Sequence, residues 1–140
     1  MKRVENNDGF TLLEVIISMA IFTIAIIALY TLQAATINQN TRASRITTAD
    51  TWASDKIEEL ISSDYDEVND SDGDGNAGIQ DTTAAAVDGS AVSPDGVYTV
   101  LWNVVEEQPL PNTKTLRVIV TSRRAGVGNL VDLEYIKHKG

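Results

Sequence analysis

The strongest pattern in the chain is an apolar run from Phe10 to Gln33, in which almost every residue suits a hydrocarbon environment. A helix over this run would span about 36 Å, enough to cross a hydrocarbon core of about 30 Å. One residue breaks the pattern, because Glu14 lies near the start of the run. A carboxylate at bilayer depth costs a few kcal/mol or more, so we expect Glu14 to face a partner rather than lipid.

After the apolar run, polar residues enter the sequence, but no Gly or Pro occurs before Gly73 to end a helix. Apolar residues recur here at three- and four-residue spacing, which is typical of one buried helix face. They are Ile46, Ala49, Ala53, Ile57 and Leu60, with Trp52 and Ile61 widening the stripe. The pattern predicts one continuous helix from Phe10 to about Ser62, amphipathic over residues 34–62. We expect Trp52 to be a core or interface anchor.

The last third of the chain alternates apolar and polar residues with a period of two, which is typical of strands with one buried face. The apolar positions are Tyr98, Val100, Trp102 and Val104, then Leu116, Val118 and Val120, then Val131, Leu133 and Tyr135. Pro109 and Pro111 interrupt the first connection, and Gly126 and Gly128 mark the second as a turn. We predict an α+β fold in which a three-stranded antiparallel meander, residues 96–140, covers the amphipathic half of the helix.

Between the helix and the strands, residues 63–95 form an acidic connecting segment. Within it, residues 70–81 read DSDGDGNAGIQD and have the spacing of an EF-hand calcium loop. We refer to residues 70–81 as the aspartate loop. The candidate calcium ligands in this spacing are Asp70, Asp72, Asp74, the backbone carbonyl of Asn76, and Asp81, with Gly75 at the sharp turn.

Two features of the aspartate loop depart from the EF-hand pattern. Asp81 replaces the usual Glu at the last position, and Ala77 replaces the β-branched apolar residue that usually pins the loop. The flanking residues also favour a helix end and coil over two helices. We expect a structural calcium site that orders the link between helix and sheet, and the alternative is a solvated acidic turn.

The net charge of -9 is unevenly distributed. Thirteen carboxylates and no Lys or Arg lie between Lys56 and Lys114, whereas six bases and two acids lie from Lys114 to Gly140. Nucleic acid is therefore not an expected partner, because the acidic segment would repel phosphate. Either the basic tail folds back on this segment or cations neutralise it. The chain has no cysteine, so no disulfide can stabilise it, and a bound calcium would replace one.

The side chains offer little for catalysis. With no cysteine and a single histidine, His138 near the C-terminus, neither Ser-His nor Cys-His chemistry has a plausible place. The closely spaced carboxylates have metal-ligand spacing instead. We therefore predict that the protein is not an enzyme.

The junction between the polar leader, residues 1–9, and the apolar run carries a specific resemblance. The residues Gly9, Phe10, Thr11, Leu12, Leu13 and Glu14 match position for position the prepilin signature of type IV pilin-like proteins. The resemblance implies that a prepilin peptidase cuts between Gly9 and Phe10 and methylates the new N-terminal amine, giving N-methylphenylalanine. It also implies that Glu14 pairs with the N-terminal amine of a neighbouring subunit and so sets the assembly register. The alternative is a helix-end Glu in the headgroup zone with no partner.

The resemblance extends to the architecture, since pilin-like proteins combine a long N-terminal helix with a small antiparallel sheet. A less specific resemblance, to minor pilins of the PilV group and to the I-type minor pseudopilin of type II secretion, rests on a shared residue pattern. It comprises Ala53, Lys56, Glu58, Glu59 and Leu60 followed by Y-x-V-x-W-x-V. Ser122, Arg123 and Arg124 stand where this subgroup has a Trp, which is a departure.

These resemblances imply a structural subunit of a type IV pilus or a type II secretion pseudopilus, with other pilin-like subunits as partners. Residues 10–33 would form the half of the helix in the membrane or filament core. The subunit would cross the bacterial inner membrane once, with the leader cytoplasmic and the C-terminal part periplasmic or, in a filament, extracellular. The alternative function is a membrane-tethered, calcium-dependent adhesin or receptor module.

Overall fold

A computed structural model describes residues 10–123 and 128–140 of the chain. The predicted leader 1–9 with Gly9, as well as Arg124 and Gly126, lie outside these residues. The elements are helix α1 (Leu12–Ser62), two short 3-10 helices (Tyr65–Glu67 and Gly75–Gln80), and strands β1 (Gly89–Val92), β2 (Tyr98–Glu106), β3 (Thr113–Ser122) and β4 (Asn129–His138). The prediction of one long N-terminal helix followed by an antiparallel sheet is confirmed.

The chain divides into two compact units, Met1–Arg42 and Ala43–Gly140. In the first unit, residues 12–42 belong to α1, and every described residue is exposed. The second unit contains the rest of α1 and the whole sheet, and it holds the hydrophobic core. Among the described residues, those of the second unit therefore form the hydrophobic core, and those of the first unit do not.

The sheet has the strand order β1-β2-β3-β4, and all neighbouring strands are antiparallel. The prediction of three strands was wrong by one, because β1 lies within the segment predicted as a loop. This strand has only four residues, too few for a clear alternation of apolar and polar positions. It begins at Gly89, which pairs with Trp102, and a Cβ atom on Gly89 would lie 2.1 Å from Cζ2 of the Trp102 ring. The close approach of the ring explains the glycine.

The core of the second unit lies between α1 and one face of the sheet. The buried residues are Ala49, Ala53 and Leu60 from the helix, Val68 from the connecting segment, and Tyr98, Val100, Val104, Leu116, Val118 and Val120 from the sheet. The helix and sheet residues among them are positions that the two periodicities predict, whereas Val68 is not. Ile46, predicted as the first residue of the buried helix stripe, is 38% exposed. Trp52 packs against this core, although its indole N–H has no hydrogen-bond partner within the described part of the chain. Tyr135 lies on edge strand β4 and remains 41% exposed.

The opposite face of the sheet is covered by the connecting segment. Leu101 and Ile119 alternate with the core residues of β2 and β3, so they point away from α1, and they form a smaller cluster with Val87. The 3-10 helix Gly75–Gln80 contacts β2. The aspartate loop is therefore close to side chains of the sheet face that does not pack on the helix.

Candidate functional site

Helix α1 begins at a well-formed cap. The hydroxyl Oγ1 of Thr11 accepts a hydrogen bond from the backbone N–H of Glu14 at 3.2 Å, as an N-cap side chain does. Glu14 lies in the first turn, where the helix dipole favours a negative charge. Among the described residues, its carboxylate has no cationic partner. Within residues 10–123 and 128–140, the Glu14 carboxylate is thus left without an ion-pair partner.

The apolar half of α1 has a surface that a single chain does not cover. An 18-residue window has a mean hydropathy of 2.7, and none of it is buried. By length and composition α1 can cross a membrane. Threonine hydroxyls within or next to the apolar run donate to backbone carbonyls, as Thr23 does to Met19 O at 2.8 Å and Thr36 to Leu32 O at 2.9 Å. These bonds satisfy the hydroxyl groups inside the helix and lower the cost of placing them in lipid.

In the aspartate loop, Asp70, Asp72 and Asp74 converge. Each offers a carboxylate oxygen, and these oxygens lie within 4.8 Å of one another. Oδ1 of Asp70 accepts the N–H of Gly73 at 2.7 Å, and Oδ2 accepts the N–H of Gly75 at 2.9 Å. Gly75 has a φ of +64°, a left-handed conformation that favours glycine at a sharp turn.

The other two predicted ligands, Asn76 and Asp81, are not among these three carboxylates. Asn76 belongs to the 3-10 helix Gly75–Gln80. Asp81 caps the C-terminal end of that helix and is not among the three converging carboxylates. Its negative charge nevertheless contributes to raising the pKa of Asp74. The ligand set predicted from the spacing therefore remains a prediction as a whole.

The crowding of carboxylates changes the protonation of Asp74. Partial desolvation and the negative charge of Asp72 raise the pKa of Asp74 from its ordinary 3.8 to about 6. The charges of Asp81 and Asp70 act in the same direction. A divalent cation would relieve this repulsion, because carboxylate oxygens are the ligands that calcium prefers.

The basic tail neutralises other acids instead. Nζ of Lys114, a buried residue, lies 3.2 Å from the Glu106 carboxylate. Nζ of Lys139 lies 3.1 Å from the Asp66 carboxylate. Among residues 10–123 and 128–140, no base forms an ion pair with the three converging carboxylates of the aspartate loop. The bases of the described chain therefore do not neutralise these three carboxylates.

Sheet side chains hold the C-terminal part of the aspartate loop. Nη1 of Arg117 donates to Ile79 O at 2.5 Å, and Arg117 also forms an ion pair of 2.6 Å with Asp132. Nδ2 of the buried Asn103 donates to Asp81 O at 2.9 Å. Neither residue was predicted from the sequence, because a contact between residues 22 or 38 positions apart leaves no local pattern.

Asp88 holds the N-terminal part of the same loop and was also missed. It lies between the loop and β1, and its carboxylate accepts hydrogen bonds from the backbone of Ser71, Asp72 and Val104. An isolated Asp before a short strand is typical of a turn, so nothing in the local sequence marked it as a loop anchor.

Comparison with known protein families bears on the N-terminal part. The family model described as a prokaryotic N-terminal methylation motif matches residues 6–30. A search of curated proteins and a search of solved structures found no match to the chain.

The motif, which is the prepilin signal of the type IV pilin type, and the apolar helix α1 together fit a type IV pilin-like subunit. The fold agrees, because a long N-terminal helix packs on an antiparallel sheet. The motif also indicates a structural subunit, so the prediction that the protein is not an enzyme is confirmed by this match. An apolar helix that follows a prepilin signal is consistent with anchoring in the inner membrane.

Proposed function

We propose that the chain is a minor pilin or pseudopilin that is assembled into a type IV pilus or a type II secretion pseudopilus. Prepilin peptidase cuts between Gly9 and Phe10 and methylates the amine of Phe10. The helix is then held in the inner membrane, with the C-terminal part in the periplasm. One observation carries this proposal: the methylation motif at residues 6–30 overlaps the apolar half of α1, in which an 18-residue window has no buried part.

Glu14 gives the proposed assembly its register. A carboxylate without a partner in an apolar bundle is costly, whereas one next to an ammonium group is much less so. The processed N-terminus of a neighbouring copy supplies such an ammonium group. A shifted register would leave both charges unpaired in an apolar environment. The free-energy cost of these unpaired charges favours the correct register. Contacts that repeat in this way without closing produce a filament.

Two measurements test the proposal. The intact mass of the protein from cells with the peptidase should correspond to a chain that begins at methylated Phe10, and the protein should co-sediment with sheared filaments. A chain that keeps residues 1–9 would contradict the processing step. A processed chain that stays in the membrane and is absent from the filaments would support the alternative, a tethered calcium-dependent adhesin or receptor.

We further propose that the aspartate loop holds a structural calcium ion. Asp70, Asp72 and Asp74 fit the ion, because their carboxylate oxygens converge and lack a base from the described chain. The spacing of Asn76 and Asp81 in the sequence would complete the set. When bound, calcium would neutralise the repelling carboxylates and would replace a disulfide as the stabilising link.

The calcium proposal is tested by thermal unfolding of the full-length protein in detergent. Excess calcium should raise the melting temperature, and a chelator should lower it, because the ion binds the folded state. Asp72→Asn should reduce this difference, since it removes one converging carboxylate. An unchanged melting temperature in chelator would favour the solvated acidic turn.

A further inference from the structure

We propose that Asp88 is a positioning residue for the aspartate loop: it lies outside the calcium motif, yet it fixes the backbone that carries the first ligands. This inference rests on the proposed calcium site. It adds a residue that the EF-hand spacing does not contain, and it explains how a loop without the usual flanking helices keeps its shape.

The carboxylate of Asp88 joins the loop to the sheet. Oδ1 accepts the backbone N–H of Ser71 in a short hydrogen bond and that of Asp72 at 3.4 Å. Oδ2 accepts the backbone N–H of Val104 at 2.7 Å. In addition, Oγ of Ser71 donates to the backbone carbonyl of Asp88 at 3.1 Å. One residue thus makes four contacts, three to the loop and one to β2.

The bond to Val104 follows from the length of β1. The pairing of β1 with β2 starts at Gly89 and Trp102. The N–H of Ser93, directly after β1, donates to Tyr98 O, so every second residue of β2 from Tyr98 onward should form its hydrogen bonds toward β1. The next position in this series is Val104, which lies beyond the end of β1. The N–H of Val104 therefore has no partner on β1, and it donates to the Asp88 carboxylate instead. Asp88 therefore binds the sheet through one carboxylate oxygen and the aspartate loop through the other.

The contacts of Asp88 act on the ligand end of the loop. Asp88 binds the backbone amides of Ser71 and Asp72. Ser71 directly follows Asp70, the first predicted ligand, and Asp72 is the second. Asp88 is not one of the converging carboxylates of the described chain, and both of its oxygens accept backbone N–H groups. It therefore orients ligands without being one. Residues of this kind typically change metal affinity by about 10- to 100-fold when they are replaced.

Calcium titration of full-length protein in detergent tests the inference with matched variants. Asp88→Asn removes the charge and one acceptor, and its calcium dissociation constant should rise about 10- to 100-fold. Asp95→Asn is the control, because Asp95 follows β1 on its other side and also accepts a backbone N–H, from Val97 at 3.0 Å. Calcium affinity should not change in this variant. Asp88→Glu, which keeps the charge but moves the oxygens, should show a smaller loss and decides the question if Asp88→Asn does not fold.

The possible results separate this inference from the calcium proposal. If the wild-type protein does not bind calcium, both are overturned. If wild-type and Asp88 variants bind with equal affinity, the calcium site stands and the positioning role is overturned. If Asp88 has a purely structural role, Asp88→Asn should lower the melting temperature equally with and without calcium. If Asp88 positions the loop, Asp88→Asn should reduce the increase in melting temperature that calcium produces.

Discussion

Individual aspartates of this chain differ in protonation because of their immediate neighbours. Desolvation, followed by the negative charge of neighbouring carboxylates, raises the pKa of Asp74 to about 6. For Asp95 the hydrogen bond from the Ser93 hydroxyl, followed by that from the Val97 amide, lowers the pKa below 3.8. Hydrogen-bond donors stabilise a carboxylate and neighbouring carboxylates destabilise it, so the two residues make opposite contributions to the pH dependence of stability.

The raised pKa of Asp74 predicts an unusual pH dependence when divalent ions are removed. Because the folded pKa of about 6 lies above the unfolded value of 3.8, this contribution to stability is complete below 3.8 and is lost as the pH rises through about 6. In chelator at low ionic strength, the melting temperature of the wild type relative to Asp74→Asn should therefore fall between about pH 4 and 7. The Asp95→Asn variant, which retains Asp74, should show the same fall in melting temperature relative to Asp74→Asn. Parallel curves for wild type and Asp74→Asn would contradict the prediction.

At the scale of elements, the end of α1 depends on a residue from the last strand. The last turn of the helix has no basic residue. Nζ of Lys137 on β4, which is buried, donates instead to Leu60 O at 2.8 Å and to Ser63 O. An ammonium group at this position satisfies free helix carbonyls and interacts favourably with the helix dipole.

Replacing Lys137 should therefore destabilise the second unit. We expect Lys137→Met to lower the free energy of unfolding by about 2 kcal/mol, because it leaves buried carbonyls unpaired. Lys139→Met is the control, since Lys139 is half-exposed and its ion pair with Asp66 is worth less than about 1 kcal/mol. Urea unfolding followed by tryptophan fluorescence measures both, because Trp52 and Trp102 are the two tryptophans and lie in this unit. Equal losses in the two variants would count against the helix-end role.

The packing of β1 on Trp102 gives a second prediction at this scale. Gly89→Ala should cost about 1–3 kcal/mol, because the new methyl group would overlap the Trp102 ring and force it or the strand to move. Gly128→Ala should be nearly neutral, since no atom of the described chain beyond the adjacent residues lies within 4 Å of the corresponding position. The same urea unfolding experiment applies, and a Gly89→Ala variant as stable as wild type would show that the ring moves freely.

The elements with regular periodicity could be predicted, and those held by distant contacts could not. The three- and four-residue spacing around Ala53 and the alternation through Val118 predicted the helix face and the sheet face that form the core. Strand β1 was missed because its four residues carry no clear alternation. Asp88 and Asn103 were missed because their roles depend on partners 16 to 22 residues away along the chain. The buried positions of Lys114 and Lys137 also depend on such partners. A basic tail that folds back on the acidic segment was one of two alternatives that the sequence left open.

At the scale of the whole molecule, the two units differ in chemistry. The described residues of the first unit expose an apolar helix, and Ala43–Gly140 forms a folded unit with its own core. The acidic segment and the aspartate loop belong to the second unit. Such a division suits a subunit whose apolar helix is covered by lipid or by other helices. The methylation motif at residues 6–30 includes the start of that helix.

The proposed assembly depends on Glu14, the single acid of the apolar run, so replacing Glu14 tests it most directly. Glu14→Gln should insert into the membrane and be processed normally, but its amount in sheared filaments should fall about tenfold or more, because the proposed charge pair could not form. Glu58→Gln, an exposed acid of the same helix, should assemble as the wild type does. Quantitative immunoblotting of membrane and filament fractions measures both. Filaments that contain Glu14→Gln at the wild-type level would contradict the account.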